Sequence, residues 1–200
     1  MENATHTPKM RASMVKENLR LLLLLGTETE RQIREDLSKE LVETIENAGR
    51  FDWLPIEVDI ELNEIIWKHL GDEGTYKYYH DSVFKTSEDP LMKPIISGAI
   101  NLFGLTPHSI IRFYPRLWTR MYKDCGQLSI KKEGPTIAHI IVSEIPRQII
   151  ESRGYIVGLE GAFSTSFTLC RVKGKVFTKQ RSTEKCMLVF VAKWEKKGRQ

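Results

Sequence analysis

The sequence has few residues of the kinds that define disulfide-rich, metal-binding or membrane-spanning proteins. Its three cysteines, Cys125, Cys170 and Cys186, are widely spaced and form no CxxC pair, which argues against a disulfide framework and a structural zinc site. The most apolar run is only five leucines long, from Leu21 to Leu25, whereas a membrane-spanning helix needs about 20 apolar residues. With no secretory signal at its start, the chain is expected to be a soluble cytoplasmic protein with no membrane span.

An excess of charge of one sign is also missing. The formal charge is +4, and charged residues make up 28% of the chain. This mildly basic balance falls short of the clustered positive charge of a dedicated nucleic-acid binder, so no nucleic-acid partner is expected.

Catalytic and cofactor-binding motifs are absent as well. No P-loop, GxGxxG, HExxH, GxSxG or kinase-type motif occurs. None of the five histidines lies three or four residues from another; they are His6, His69, His80, His108 and His139. We therefore expect no catalytic residues, no metal site and no cofactor. The sequence indicates a binding module and not an enzyme.

The pattern of apolar residues and capping signals predicts a helical front half and a mixed final third. Asp59 is expected to cap one helix, and Pro115 to bend another. Helices are predicted over 13–25, 27–49, 59–70, 75–85, 89–103 and 106–123. Strands are predicted over 127–132 and 137–145, then a helix over 146–163, then strands within 169–177 and 186–194.

This order predicts an α+β fold in which a helical N-terminal half packs on a four-stranded antiparallel sheet, with β-β-α-β-β order in the C-terminal third. We expect residues 1–50 to form an N-terminal helical appendage. Residues 51–200 would form a single α+β domain of ligand-binding type.

Aromatic side chains concentrate on the predicted helix 106–123 and on the helix after the first hairpin. If these helices face each other, they can enclose an apolar pocket between helix and sheet. The same side chains could equally form an ordinary filled core. The predicted lining is Phe103, Tyr114, Trp118, Tyr155, Leu159 and Phe163.

Two further patterns lie on these helices. Arg112, Arg116 and Arg120 recur every four residues, which is typical of a solvated helix face but also suits an anionic partner, because guanidinium groups match carboxylates and phosphates. Gly154, Gly158 and Gly161 lie on one side of the following helix, where glycines usually let another backbone approach closely. Their spacing differs from the dinucleotide-binding fingerprint.

The block from Leu54 to Trp194 resembles a bacterial domain family of unknown function, found in multiple copies in social, myxobacterial-type and predatory proteobacteria. The resemblance rests on three segments: Phe113-Tyr-Pro-Arg-Leu-Trp118 with the hairpin after it, Gly154-Tyr-x-x-Gly158-x-x-Gly161, and the strand Cys186 to Trp194. That family is similar to 4-vinyl reductase domains, Bet3-like tethering subunits and the haem–nitric oxide binding domain.

The resemblance implies helices packed on a four-stranded antiparallel sheet, frequent dimers, and an apolar cavity for aromatic effectors, acyl chains or tetrapyrroles. The sequence departs from the haem-binding relatives, since it has neither their Tyr-x-Ser-x-Arg motif nor a histidine at the proximal position. It also lacks the cysteine pair of zinc-containing relatives. We therefore expect neither haem nor zinc to bind with defined stoichiometry.

The function favoured by the sequence is a non-catalytic small-molecule-binding module with a sensory or regulatory role. Its ligand would be an apolar or aromatic small molecule held between helix and sheet. The alternative is a scaffolding homodimer that binds no ligand.

The five consecutive leucines predict that the chain forms a homodimer partly through Met14 to Leu25. Successive residues of a helix point about 100° apart, so five leucines in a row cannot all face one core. Replacing Leu22 and Leu24 singly with glutamate tests this prediction by light scattering. A folded monomeric variant supports the interface, whereas a wild-type monomer at micromolar concentration contradicts it, and an unfolded variant assigns that leucine to the core.

Overall fold

A computed structural model of the protein describes residues 7–87 and 106–196. The predicted helix 89–103, and with it Phe103, lies outside these ranges. The helical part comprises β1 (Lys9–Arg11), α1 (Ala12–Arg20), a 3₁₀ helix (Leu21–Leu25), α2 (Thr27–Asp36), α3 (Lys39–Asn47), β2 (Trp53–Pro55), α4 (Ile56–Ser87), α5 (Pro107–Ile111), α6 (Tyr114–Met121) and β3 (Tyr122–Lys123). The final third comprises β4 (Gln127–Gly134), β5 (Ile137–Ser143), α7 (Arg147–Glu151), α8 (Arg153–Leu169), β6 (Gly174–Ser182) and β7 (Met187–Trp194). In the described ranges, no helix is long and apolar enough to cross a membrane.

The four-stranded sheet confirms the predicted fold class. Its strands are all antiparallel and lie in the order β4-β5-β7-β6. Leu128, Val142 and Leu188 occupy one row across the inner face of the sheet, and all three are buried in the core under the helices.

Local chemistry explains where the helices begin and end. Gly71 has a φ of 62° inside α4, a conformation that glycine adopts without steric cost, and so it separates two helical arms, as the sequence predicts. Thr106 accepts a hydrogen bond from the Ser109 backbone N–H at the start of α5. The helix predicted over 106–123 is in two pieces, because Pro115 lies in the first turn of α6.

Two expectations for the helical part are wrong. The helix predicted over 27–49 is divided, because the Ser38 side chain caps a new helix by accepting from the Leu41 backbone N–H. Asp59 does not cap α4, which begins three residues earlier at Ile56; its side chain is buried instead.

A second, three-stranded sheet joins the N-terminus to the rest of the chain. Strand β1 pairs with β2 and β3, so that Met10 lies opposite Leu54 and Tyr122. Met10 and Val15 belong to the same hydrophobic core as the sheet residue Phe190. Residues 7–50 therefore pack directly on the later elements; the separation at residue 50 into two folding units stays a prediction.

The leucine run divides between core and surface. Leu21 and Leu22 are buried, whereas Leu23 and Leu24 are 51% and 41% exposed. The 3₁₀ turn places consecutive leucines on different sides of the chain. Leu22→Glu is therefore expected to unfold the protein, while Leu24→Glu carries the test of the predicted dimer.

Three glycines bring α8 into close contact with α4 and confirm the expected backbone approach. A Cβ atom added at Gly154 would lie 2.7 Å from the Asn63 carbonyl oxygen, and one at Gly161 would lie 2.2 Å from the Tyr76 carbonyl oxygen. At Gly158 it would lie 2.9 Å from the Tyr79 ring. Real Cβ contacts are longer than this, so only glycine permits the observed helix spacing.

We predict that Gly161→Ala lowers the free energy of unfolding by about 1–3 kcal/mol, the usual cost of overpacking a tight interior. The cost arises because the new methyl group collides with backbone, which cannot rotate away. Denaturant titration of the purified protein measures it.

Gly134→Ala is the matched control, because a Cβ atom there meets nothing within 4 Å. Equal stability of the two variants would contradict the close packing of α8 on α4.

Candidate functional site

Helices α6 and α8 bring together most of the residues predicted to line a pocket. The ring of Tyr114 stacks on Phe163 with centroids 5.0 Å apart, and its hydroxyl donates to the Phe163 carbonyl oxygen over 2.7 Å. Phe163 in turn meets Phe190 of β7 edge-on at 5.5 Å. Leu159 is buried in the same core.

Trp118 and Tyr155 meet through Tyr122, which is not among the residues predicted to line the pocket. The Trp118 ring stacks on Tyr122 at 3.9 Å, and the Tyr155 hydroxyl donates to the Tyr122 hydroxyl over 3.1 Å. We call Tyr114, Trp118, Tyr122, Tyr155 and Phe163 the aromatic cluster. Their rings contact one another directly, so whether they also line a pocket stays a prediction.

Two side chains in and beside the aromatic cluster have polar atoms without a partner. The Trp118 indole N–H and the Tyr79 hydroxyl are both buried and form no hydrogen bond in the described part of the chain. Leaving such a buried donor unsatisfied costs about 1–3 kcal/mol, so each is a place where a bound molecule could supply an acceptor.

Asp59 supplies a buried acid behind the aromatic cluster. Asp59 is 1% exposed, and its carboxylate accepts a 3.5 Å hydrogen bond from the Asn18 side chain. Burial raises the pKa of the Asp59 carboxyl to about 6, and hydrogen bonds from Tyr155 and Asn18 oppose that rise. Among the described residues, Asp59 has no ion-pair partner within 4 Å, so its charge is balanced only by dipoles.

The tyrosines around Asp59 remain protonated. Burial raises the pKa of Tyr79, Tyr122 and Tyr155, and the nearby Asp59 carboxylate raises each pKa further. Burial also raises the pKa of the Cys125 thiol to about 12. These groups are therefore neutral hydrogen-bonding groups at physiological pH and not nucleophiles.

The predicted arginine face is exposed but discontinuous. Arg112 caps the end of α5, whereas Arg116 and Arg120 lie on α6. None of the three forms an ion pair within the described ranges, and the Arg116 guanidinium lies 5.7 Å from the Phe113 ring. Their role as a face for an anionic partner stays a prediction.

Among the comparisons with known proteins, solved structures identify the fold. No family model and no curated protein matches the chain, whereas solved structures of H-NOX (haem–nitric oxide binding) domains match over nearly its full length. An oxygen-binding H-NOX domain related to soluble guanylate cyclases, in its oxygen complex, has 9% identity and a TM-score of 0.63, with 94% of this chain and 96% of that chain covered.

Two other H-NOX structures give the same result. The Fe(II) unliganded H-NOX protein from K. algicida has 11% identity and a TM-score of 0.60, covering 94% of this chain and 98% of that one. A structure from work on haem distortion in the H-NOX family has 11% identity and a TM-score of 0.63, covering 96% and 98%. The chain therefore has the α+β fold of H-NOX domains, which confirms the resemblance to the haem–nitric oxide binding domain at the level of fold. The likeness to the bacterial multi-copy family stays a prediction.

The described residues do not fit a haem. A haem needs an axial ligand, most often an imidazole, and no described histidine belongs to the aromatic cluster. Each described histidine is engaged elsewhere: His69 with Asp36 (2.8 Å), His80 with Asp81 (2.8 Å), His108 with the Gly134 carbonyl oxygen (2.9 Å) and His139 with Glu133 (3.3 Å).

Metal-binding groups are likewise not assembled. Within residues 7–87 and 106–196, no three His, Cys, Asp or Glu side chains lie together as a metal site would require. The expectation of neither haem nor zinc stays a prediction, for metal analysis and an absorption spectrum to test.

We predict that the stability of the protein falls as the pH rises from about 4 to 6, because of Asp59. In this range an unfolded Asp59 ionises while the buried one keeps its proton, so the folded state binds more protons and loses stability with pH. The raised pKa of Asp59 corresponds to about 3 kcal/mol of the free energy of unfolding, and this contribution is lost in full above pH 6. Asp59→Asn removes this dependence; urea unfolding at several pH values measures it.

Asp72→Asn is the control of opposite sign. Asp72 is exposed, and its hydrogen bonds from Arg153 and Trp67 hold its pKa below the usual range. The stability that it contributes is therefore lost as the pH falls. If the free energies of unfolding of wild type and Asp59→Asn change in parallel between pH 4 and 7, Asp59 is not buried as described.

Proposed function

We propose that this chain is a non-catalytic sensory module that uses the H-NOX fold to bind an apolar or aromatic small molecule at the aromatic cluster, without haem. The observation that carries the proposal is the buried Trp118 indole N–H, which has no acceptor although it lies among stacked rings. A ligand with one acceptor atom and a flat apolar body would satisfy the donor and stack on the rings.

The fold supports a sensory role and the cluster supports a different ligand. One H-NOX structure that matches this chain is an oxygen complex, and another comes from work on haem distortion. Here the described histidines lie outside the aromatic cluster. The chain would therefore keep the sensor fold and hold another ligand in place of the haem. Because Trp118 and Tyr122 are only 3.9 Å apart, the rings must separate as the ligand enters.

The proposed chemistry contains no catalytic step. The buried phenols of the site keep their protons, because burial and the nearby Asp59 carboxylate raise their pKa. Binding would act on the rest of the molecule through Tyr155, whose hydroxyl also contacts the Met10 sulfur of β1 at 3.6 Å.

We predict that native mass spectrometry of the purified full chain shows a retained small molecule that is lost on denaturation. For added probes, quinoline should bind about fivefold more tightly than naphthalene, because its ring nitrogen accepts one hydrogen bond, worth about 1 kcal/mol. Isothermal titration calorimetry measures both affinities. Trp118→Phe should abolish the difference between the two probes.

Trp67→Phe is the matched control, because Trp67 donates to Asp72 at the protein surface, over 2.7 Å, and should leave both affinities unchanged. A difference that survives in Trp118→Phe would refute the role of the indole. The scaffolding homodimer would be favoured instead if native mass spectrometry shows a dimer with no retained molecule and neither probe binds.

A further inference from the structure

The three-stranded sheet turns a cationic and aromatic face away from the core. Side chains alternate between the two faces of a strand, and the inner face carries the buried residues Met10, Leu54 and Tyr122. Opposite to it, Lys123 and Pro55 are exposed, and three more side chains are partly exposed. We call this surface the small-sheet face; its residues are Lys9, Arg11, Trp53, Pro55 and Lys123.

The cations of the small-sheet face have no carboxylate partner. Lys9 lies directly opposite Lys123, although like charges in opposed positions destabilise a sheet. The Arg11 guanidinium lies 3.7 Å from the centroid of the Trp53 ring, a stacked arrangement in which it keeps its charge. None of these three cations forms an ion pair within residues 7–87 and 106–196. Anions bound at this face would therefore offset repulsion that the fold leaves in place.

An exposed aromatic ring lies beside these cations. Phe51 precedes β2 and is 86% exposed, the highest value among the large hydrophobic side chains of the described ranges. Its carbonyl oxygen accepts a 2.5 Å hydrogen bond from the Arg11 guanidinium, which places the residue at the edge of the small-sheet face. A phenyl ring in this position has little contact with its own chain, so its transfer into an apolar environment is favourable.

The segments that form and adjoin this face carry more cations than acids. Six cationic and two acidic side chains lie within residues 9–11, 49–55 and 114–124. The two acidic residues are Asp52 and Asp124, so a net positive charge remains. Such a charge attracts an anionic surface over about a Debye length, roughly 8–10 Å at ordinary salt concentrations.

An anionic lipid surface suits both features of the face at once. Lipid phosphates would neutralise the cations, and the acyl region below them would take up the Phe51 ring. Trp53 suits the same boundary, since tryptophan is enriched where membrane and water meet. An acidic peptide without apolar residues would neutralise the cations but leave the phenyl ring in water.

We propose that the small-sheet face docks the protein on an anionic lipid bilayer, with Phe51 inserted below the headgroups and the cations of the face against the lipid phosphates. The exposed Arg116 and Arg120 of α6, the helix that leads into β3, would extend this contact. The inference does not depend on a ligand in the aromatic cluster. Because Met10 on the inner face of β1 contacts Tyr155, the same short strand would lie between the aromatic cluster and the membrane.

Co-sedimentation of the full chain with lipid vesicles tests the proposal. One set of vesicles is phosphatidylcholine alone, and in the other a third of the lipid is phosphatidylserine. The anionic vesicles should bind about tenfold more tightly or better, and added salt should weaken this binding, because exposed charges are screened. Lys9→Glu combined with Lys123→Glu should weaken it by about tenfold or more. This double variant keeps like charges opposed, so its thermal unfolding should match that of wild type.

Phe51→Ser separates insertion from charge attraction. It should weaken binding to the anionic vesicles about tenfold at unchanged charge, because no ring enters the bilayer. Phe177→Ser is its matched control, since Phe177 is 41% exposed on β6, at the edge of the four-stranded sheet farthest from β4. Lys179→Glu combined with Lys185→Glu, at exposed positions on and after β6, is the control for charge reversal. Both controls should bind as wild type does.

Three results would overturn the proposal. The first is equal binding, or no binding, of the two kinds of vesicle. The second is binding to anionic vesicles that the double variant at Lys9 and Lys123 leaves unchanged. The third is fluorescence anisotropy showing that a labelled glutamate-rich peptide binds while the vesicles do not, because an acidic protein would then be the partner of this face.

Discussion

The contact between α8 and both arms of α4 is the constraint on which the rest of the structure depends. Asn63 precedes the break at Gly71, whereas Tyr76 and Tyr79 follow it, and all three lie against glycines of α8. Side chains on this surface of α8 would push the two helices apart. Because the surface is bare, Tyr155, Leu159 and Phe163 project from other positions of the same helix into the core beside α6 and the sheet. The glycines thus fix where the aromatic cluster can form.

Buried polar contacts then connect this helix pair to the N-terminus. The Tyr78 hydroxyl donates to the Asn18 carbonyl oxygen, and the Asn18 side chain donates to the Asp59 carboxylate over 3.5 Å. Together with the Tyr155–Tyr122 hydrogen bond, they form a polar layer between α1, α4 and α8 inside an otherwise apolar core. Such a layer is costly unless its members are paired, and this cost is why Asp59, without a cation, has a raised pKa. A change at the aromatic cluster would reach β1 and α1 through these contacts.

The sequence predicts the fold well where long periodic segments or strong local signals exist. The β-β-α-β-β succession along the chain, the break at Gly71, the Thr106 cap and the glycine contacts follow from patterns of apolar residues, capping residues and glycine. The three-stranded sheet was missed because strands of two or three residues show no periodicity. Asp59 was misread because an acidic residue near a helix start usually caps it, and only tertiary packing shows it to be buried. Tyr122 was missed as a site residue because it falls at a helix end, and its hydrogen-bond partner Tyr155 is 33 residues away along the chain.

The central claim is that an H-NOX fold whose described histidines lie outside the aromatic cluster holds another small molecule beside Trp118. A crystal structure of the full chain, purified without added ligand, tests this most directly. The account predicts electron density for a flat organic molecule with an acceptor within about 3 Å of the Trp118 indole nitrogen, a normal hydrogen-bond length. Density for a haem in the core would contradict it, and so would a fully packed aromatic cluster in which the indole donates to a protein group.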